Sequence, residues 1–104
     1  MEDNGKINPD EYAVVPIDDS LDLHTFAPED VREVIEEYLF QCSIRGLSQV
    51  RLIHGRGTGQ LRATVQVLLM RSSYVLGFSD AAQEAGGWGA TIVRLKPNAP
   101  VDAR

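Results

Sequence analysis

The two histidines of the chain, His24 and His54, are the residues whose type and position most directly suggest chemistry. Imidazole titrates near neutral pH, so two histidines that meet can share general acid and general base roles. Each one closes a segment that is typical of a β-strand, Ser20–His24 or Ser48–His54. Asp22 alternates onto the same side of its strand as His24 and could orient that ring. Asp22, His24 and His54 are therefore the candidate catalytic residues.

A glycine-rich loop follows His54 and leads into a predicted helix. Three glycines in the five residues 55–59 let the backbone approach a ligand closely. The first N–H groups of the following helix have no partner within that helix, so this turn is suited to an anion such as phosphate. Arginine side chains and a hydroxyl group can add further donors. The candidate phosphate-binding residues are Gly55, Arg56, Gly57, Thr58, Gly59 and Arg62.

The spacing of this loop matches neither of two well-known phosphate-binding motifs. The dinucleotide motif requires G-x-G-x-x-G with an acidic residue about 20 positions later, and the P-loop requires G-K-[ST]. Residues 54–59 satisfy neither requirement. A tight strand-to-helix turn without a ligand is the alternative interpretation of the same spacing.

Hydrophobic periodicity predicts the elements that hold these residues. Apolar residues recur every three or four positions from Val31 to Cys42, which is typical of a helix with one buried face. Pro28 suits the first helical turn, and Gly46 suits the helix end. The remaining predictions are strands at Ser20–His24, Ser48–His54, Tyr74–Phe78 and Ala90–Leu95, a second helix over Leu61–Arg71, and a flexible, exposed connection at Ala85–Gly89.

The predicted order β-α-β-α-β-β favours an α/β fold, a two-layer sandwich with both helices on one face of a four-stranded mixed sheet. A strand-helix-strand crossover leaves the first two strands parallel, so their C-terminal ends lie at one edge of the sheet. Ligands commonly bind at that edge in open α/β sheets. We therefore expect His24 and His54 to meet around one phosphate; the alternative is two unrelated histidines at strand ends.

Composition predicts one domain preceded by an acidic tail. The chain has 104 residues and a net charge of −5, and residues 1–19 carry six acidic residues against one lysine. Between positions 45 and 71 there are five arginines and no acidic residue, which indicates a locally positive surface or simply a solvated face. We predict a flexible tail at 1–19, the domain at 20–97 and a short tail at 98–104.

The single cysteine and the hydropathy pattern bear on the cellular compartment. Cys42 has no partner for an internal disulfide, and its place on the apolar side of the first helix predicts a buried thiol. No apolar run approaches the roughly 18 residues of a membrane span, and no signal peptide is recognisable. These features favour a cytoplasmic protein without a membrane partner.

Two segments, in the order and spacing found in the family, resemble the small MutS-related (Smr) domain family. They are Leu21-Asp22-Leu23-His24 and Ile53-His54-Gly55-Arg56-Gly57-Thr58-Gly59-Gln60-Leu61-Arg62. Gly86-Gly87-Trp88-Gly89-Ala90-Thr91 looks like the end of free-standing members. The resemblance covers about residues 20 to 96. It implies a fold similar to the C-terminal domain of bacterial translation initiation factor three, nucleic-acid binding and, in several members, endonuclease activity on DNA or RNA.

The resemblance and the residues together give a leading hypothesis of phosphodiester cleavage. His24 and His54 would act as acid and base, while the loop amides and arginines would hold the scissile phosphate. RNA could supply its 2′-hydroxyl as nucleophile without a metal. DNA would need an activated water, which a divalent metal such as Mg²⁺ or Mn²⁺ could hold with Asp22 and both histidines as ligands. Thr25 stands where many members carry glycine, which bears on substrate choice.

Two other functions fit the same sequence. The domain could bind nucleic acid without cutting it, or act as a protein-interaction unit that uses Trp88 and the acidic tail. Trp88 could serve as a lid packed on the sheet edge or as a stacking surface for a base. The tail could also cover the basic region by mimicking nucleic acid. We expect a monomer with nucleic acid, DNA or RNA, as its main partner.

Overall fold

The predicted order of elements is present in a computed structural model, which describes residues 17–83 and 87–97. Most of the predicted tail at 1–19, and the tail at 98–104, lie outside these residues. The predicted β-α-β-α-β-β order is confirmed. The elements are β1 (Asp19–Asp22), α1 (Val31–Ile44), β2 (Gln49–Ile53), α2 (Gln60–Arg71), β3 (Val75–Asp80) and β4 (Ala90–Leu95).

The four strands form one mixed sheet in the spatial order β1-β2-β4-β3. β1 and β2 are parallel, with Asp22 opposite Ile53, as the crossover through α1 requires. β4 is antiparallel to both β2 and β3. The ends of β1 and β2 therefore lie at the same edge of the sheet as the start of β4.

The two faces of the sheet are packed differently. One face, called here the helix face, packs against both helices and forms the main core. Alternation of side chains sends the intervening residues to the other face, called here the second face. There, Ile53, Ala90 and Ile92 form a smaller cluster with Ala81 and Ile17. The buried residues of the main core are Leu23, Val31, Ile35, Leu39, Cys42, Val50, Leu52, Val65, Leu69, Val93 and Leu95.

Local hydrogen bonds explain where the first strand ends and where the first helix begins. β1 ends at Asp22, two residues before the predicted end, because the Asp22 carboxylate accepts the His24 backbone N–H at 3.1 Å. The Phe26 N–H bonds the Leu23 carbonyl at 3.1 Å and completes the turn. Pro28–Asp30 forms a 3₁₀ turn, and the α-helix starts only at Val31.

α1 ends close to Gly46, as the sequence predicts. Gly46 has φ 77°, a left-handed conformation that glycine adopts without strain. The Leu47 N–H reaches back to the Cys42 carbonyl at 3.1 Å, which satisfies one of the last carbonyls of the helix. Cys42 is buried as predicted, and burial raises the pKa of its thiol. No helix within residues 17–83 and 87–97 is long and apolar enough to cross a membrane.

Candidate functional site

The predicted site residues gather at the edge of the sheet where β1 and β2 end. Along this edge the strand order places the Asp22–His24 segment first, then the glycine loop after β2, then the turn before β4, then Asp80 at the end of β3. The Leu23 N–H donates to the Ile53 carbonyl at 2.7 Å, so the ends of β1 and β2 leave the sheet side by side. α2 begins at this edge.

The Asp22–His24 pair is exposed at the end of β1. The Asp22 carboxylate contacts His24 Nδ1, and the two side chains are 45% and 61% exposed. The same carboxylate oxygen accepts the His24 backbone N–H, so one residue holds both the ring and its backbone. His24 Nε2 has no hydrogen-bond partner among the described residues. The expected contact between Asp22 and His24 is therefore present, with one ring nitrogen left for a ligand.

His54, by contrast, is buried with both ring nitrogens engaged. It is 5% exposed; Nδ1 lies 3.0 Å from the Gly55 carbonyl oxygen and Nε2 lies 2.8 Å from Thr91 Oγ1. A carbonyl can only accept, so Nδ1 carries the proton and Nε2 accepts the Thr91 hydroxyl. Burial lowers the pKa of His54 from 6.5, which favours this neutral ring.

The register of β1 and β2 keeps the two histidines apart. Asp22 is paired with Ile53, whose side chain packs in the cluster of the second face. His54 follows Ile53 and so turns to the helix face, where it meets Thr91, the partner of Leu52. His24 stays with Asp22 on the second face. The expectation that both histidines meet around one phosphate is not met.

The same geometry bears on the suggested Mg²⁺ or Mn²⁺ site. That site needed Asp22 and both histidines as ligands, and His54 lies on the other face with its nitrogens already bonded. In the part of the chain that the structure describes, no group of three or more His, Cys, Asp or Glu side chains is placed to hold a metal ion. The residues present do not fit that three-ligand site.

The glycine loop opens toward solvent at the start of α2. Gly55 and Gly59 have φ 80° and 89°, and Gly59 is the N-cap residue of the helix. A Cβ added at Gly55, Gly57 or Gly59 would meet nothing within 4 Å. Thr58 Oγ1 accepts the Gln60 N–H at 3.3 Å, so Thr58 supports the first turn of the helix. The loop thus leaves open space beside the helix N-terminus.

The turn before β4 is fastened to this loop. The Gly89 carbonyl accepts the N–H groups of His54 and Gly55 at 3.1 and 2.8 Å. A Cβ at Gly87 would lie 2.6 Å from Arg56 Nη2, so the glycine leaves room for the arginine. We expected a flexible, exposed connection at Ala85–Gly89. Residues 85 and 86 lie outside the described residues, and Gly87 and Gly89 are instead buried in a 3₁₀ turn.

Two arginines lie close to the ring of Trp88. The guanidinium carbons of Arg56 and Arg62 lie 6.0 and 5.9 Å from the ring centroid. Arg62 also forms a bidentate pair with Asp80, with Nη2 2.9 Å from each carboxylate oxygen. The charge of Arg62 is therefore offset by Asp80. Arg56 lies on the glycine loop and is exposed.

Sequence reasoning missed two members of the site. Asp80 has no spacing relation to the motifs, and only the fold brings it to α2. Thr91 lies in the late segment that resembles the family, but nothing in that segment marked its hydroxyl as a partner for His54.

Comparison with known proteins supports one family. The Smr domain model matches residues 21–96. The chain is 41% identical over 76 residues to the endonuclease MutS2 of Streptococcus gordonii, covering 73% of this chain and 10% of that protein. It is 40% identical over 79 residues to the endonuclease MutS2 of Caldanaerobacter subterraneus, with 76% and 10% covered. The chain thus spans about a tenth of the length of these relatives.

Two solved structures share the fold. The Smr domain of Thermus thermophilus MutS2 superposes with a TM-score of 0.73 at 35% identity, covering 76% of this chain and 99% of that one. YdaL, a stand-alone small MutS-related protein from Escherichia coli, gives a TM-score of 0.69 at 29% identity, covering 74% and 63%.

Proposed function

The chain belongs to the Smr domain family, and from that premise we propose that it binds a nucleic-acid strand and cleaves a phosphodiester bond at the edge where β1 and β2 end. The relatives named endonucleases support this proposal. The observation that carries it is the exposed Asp22–His24 pair next to a glycine loop that opens beside the N-terminus of α2.

The glycine loop would hold the phosphate. The N-terminus of a helix carries partial positive charge and unpaired N–H groups, and α2 is twelve residues long. Open space around Gly57 lets a phosphate approach the backbone. Arg56 on the loop and Arg62 in the first turn of α2 add positive charge, and Asp80 holds the Arg62 side chain. Arg56 is the cationic contact of this proposal that lies on the loop itself.

His24 would move the proton. Asp22 contacts Nδ1, which fixes the ring and favours a proton on that nitrogen, so Nε2 can accept one from an attacking hydroxyl. In RNA the 2′-oxygen beside the scissile phosphate would form a bond to phosphorus while the bond from phosphorus to the 5′-oxygen breaks, which gives a 2′,3′-cyclic phosphate. In DNA the oxygen of a water molecule would form the new bond as one P–O ester bond breaks. In both cases the leaving oxygen would take its proton from solvent. Because RNA carries its attacking group beside the phosphate, we expect RNA to be cleaved faster than DNA of the same sequence.

His54 would position the site rather than transfer a proton. Its ring ties the Gly55 carbonyl to Thr91 of β4, and so fixes the loop to the sheet. The sequence alone predicts an acid or base role for His54. We assign it this positioning role because both nitrogens are already bonded.

A binding module that does not cut is the second candidate. It is favoured by the observation that the structure exposes one of the two predicted catalytic histidines and buries the other. A wild-type protein that binds a labelled strand and leaves it intact, with and without chelator, would establish this second function.

The direct test uses a short labelled RNA and the DNA of the same sequence. Arg56→Ala should weaken binding about 10- to 100-fold, as expected for a lost charge-assisted contact. Arg71→Ala removes the same charge at the opposite end of α2, roughly 16 Å away, and should change binding less than twofold. Equal effects of the two variants would contradict a phosphate site at the loop.

Gly57→Ala tests close approach of the phosphate without disturbing the fold. A Cβ at this position meets nothing within 4 Å, so the unfolding midpoint should stay unchanged. A methyl group in the space meant for the phosphate should nevertheless weaken strand binding and cleavage. Unchanged binding by this variant would show that no ligand reaches the loop backbone.

A further inference from the structure

Trp88 is an exposed aromatic side chain in a well-anchored turn. Its neighbours Gly87 and Gly89 are buried, yet Trp88 itself is 43% exposed. The Gly89 carbonyl is bonded by the His54 and Gly55 N–H groups, which fixes the turn to the glycine loop. A residue that served only as a lid over the sheet edge would bury its ring. Trp88 instead keeps a large part of the ring available.

The surroundings of the ring define the chemistry it can recognise. Arg56 and Arg62 lie about the ring at 6.0 and 5.9 Å from its centroid, near the limit of cation–π contact. Asp80 holds Arg62 by three hydrogen bonds, so the position of this arginine beside the ring is fixed before a ligand arrives. Aromatic rings beside arginines bind single-stranded nucleic acid by stacking on bases while the cations meet the phosphates.

The order of strands places this platform on one side of the loop and His24 on the other. β1, β2 and β4 are neighbours, so the Asp22–His24 pair, the loop and the Trp88 turn span about two strand spacings, or roughly 10 Å. Adjacent nucleotides of an extended strand can bridge that distance. A strand that lies along this edge brings its base to Trp88 when its phosphate is at the loop.

We propose that Trp88 is the stacking platform for an unpaired base next to the phosphate held by the glycine loop. The substrate is then a single strand, or a site with an unpaired or extruded nucleotide, because bases within an intact duplex are already stacked. This inference rests on the proposed function and deepens it. It assigns Trp88 to specificity, whereas Asp22 and His24 perform the reaction.

The test uses the intrinsic fluorescence of the full chain, because Trp88 is its single tryptophan. The probes are a short single strand, an abasic strand with the same number of phosphates, and a blunt duplex. The single strand should quench the fluorescence strongly, and the abasic strand and the duplex should bind with little quenching. By anisotropy of labelled probes, Trp88→Ala should lose about 5- to 100-fold in affinity for the single strand. Its affinity for the abasic strand should be unchanged.

A second variant and the abasic strand separate the possible failures. Trp88→Phe keeps an aromatic ring and should recover much of the lost affinity. If both strands bind equally and Trp88→Ala changes neither, the stacking inference is overturned while the phosphate site stands. If the Trp88→Ala variant unfolds at a lower denaturant concentration but binds both strands normally, Trp88 is a lid on the sheet edge. That result also overturns the stacking inference. If neither strand binds wild-type protein, the proposed function fails, and the inference fails with it.

Discussion

His24 and His54 end two neighbouring parallel strands, and the structure gives them opposite environments. The side chain of His24 is 61% exposed and contacts a carboxylate that leaves one ring nitrogen available. His54 is 5% exposed and bonds through both nitrogens to Gly55 and Thr91. Two identical side chains at one sheet edge thus differ in what they can do. One can exchange a proton with a ligand, and the other holds the loop to the sheet.

The difference follows from the register of one strand pair. Asp22 and Ile53 are opposite each other on the second face, so His54, one residue later, turns to the helix face. A shift of one residue in β2 would turn His54 to the second face and leave His24 where it is. Variants that change cleavage without changing stability, or stability without changing cleavage, therefore test the roles that we propose for His24 and His54.

The largest expected effect is the loss of cleavage in Asp22→Ala. Without the carboxylate the His24 ring is no longer held, and we expect the rate to fall at least about 100-fold. The pair is exposed, so the free energy of unfolding should change by less than about 1 kcal/mol. Single-turnover cleavage and urea unfolding measure the two quantities.

A matched control for this variant is available on α1. Glu36→Ala breaks the exposed Arg32–Glu36 pair, whose atoms lie 3.2 Å apart, and should leave cleavage unchanged. Equal loss of cleavage in both variants would remove the reason to place Asp22 in the reaction.

The next largest effect is the loss of stability in His54→Ala. The substitution leaves the Thr91 hydroxyl and the Gly55 carbonyl without their partner and opens a cavity. The free energy of unfolding should therefore fall by roughly 2 to 4 kcal/mol. Thr91→Val, which replaces the hydroxyl with a methyl group of similar size, should lower the free energy of unfolding by less. Urea denaturation gives both values. A loss below about 0.5 kcal/mol for His54→Ala would mean that the buried bonds contribute little.

A smaller effect is expected for Asp80→Asn. Asparagine can still accept hydrogen bonds from Arg62 but no longer offsets its charge, so strand binding should tighten about two- to fivefold at low salt. The gain should diminish as salt is added. Weaker binding at low salt would show instead that the carboxylate is needed to hold Arg62 in place.

The smallest effect concerns the pH dependence of stability. The pKa of His54 is below 6.5 in the folded protein because of burial, so the unfolded chain takes up the proton first as pH falls. The contribution of His54 to the free energy of unfolding is complete above pH 6.5. Below that pH it declines by at most about 1.4 kcal/mol per pH unit. His54→Gln should flatten this slope. Asp18, whose pKa is lowered from 3.8 by the Ser48 and Gln49 amides, affects stability only at lower pH.

Sequence patterns were sufficient for the order of elements and for the local contact between Asp22 and His24. Apolar spacing located the helices, and alternation within β1 put the carboxylate on the side of its histidine. These are relations between residues two to four positions apart, which the backbone geometry of one element fixes.

The remaining features depend on contacts between distant parts of the chain. The Asp18 carboxylate accepts the Ser48 N–H at 2.7 Å across thirty residues and helps set the register that turns His54 inward. Arg62 and Asp80, eighteen residues apart, meet only after α2 packs beside β3. The glycine turn is buried because Arg56 occupies the space beside it. No local pattern encodes these distances.

The most direct test of the central claim compares His24→Gln with His54→Gln in single-turnover cleavage of one labelled RNA, below the unfolding temperature of both variants. Proton transfer at His24 predicts that His24→Gln loses at least about 100-fold in rate while His54→Gln keeps most of it. Loss of cleavage in folded His54→Gln, with full activity in His24→Gln, would contradict the account.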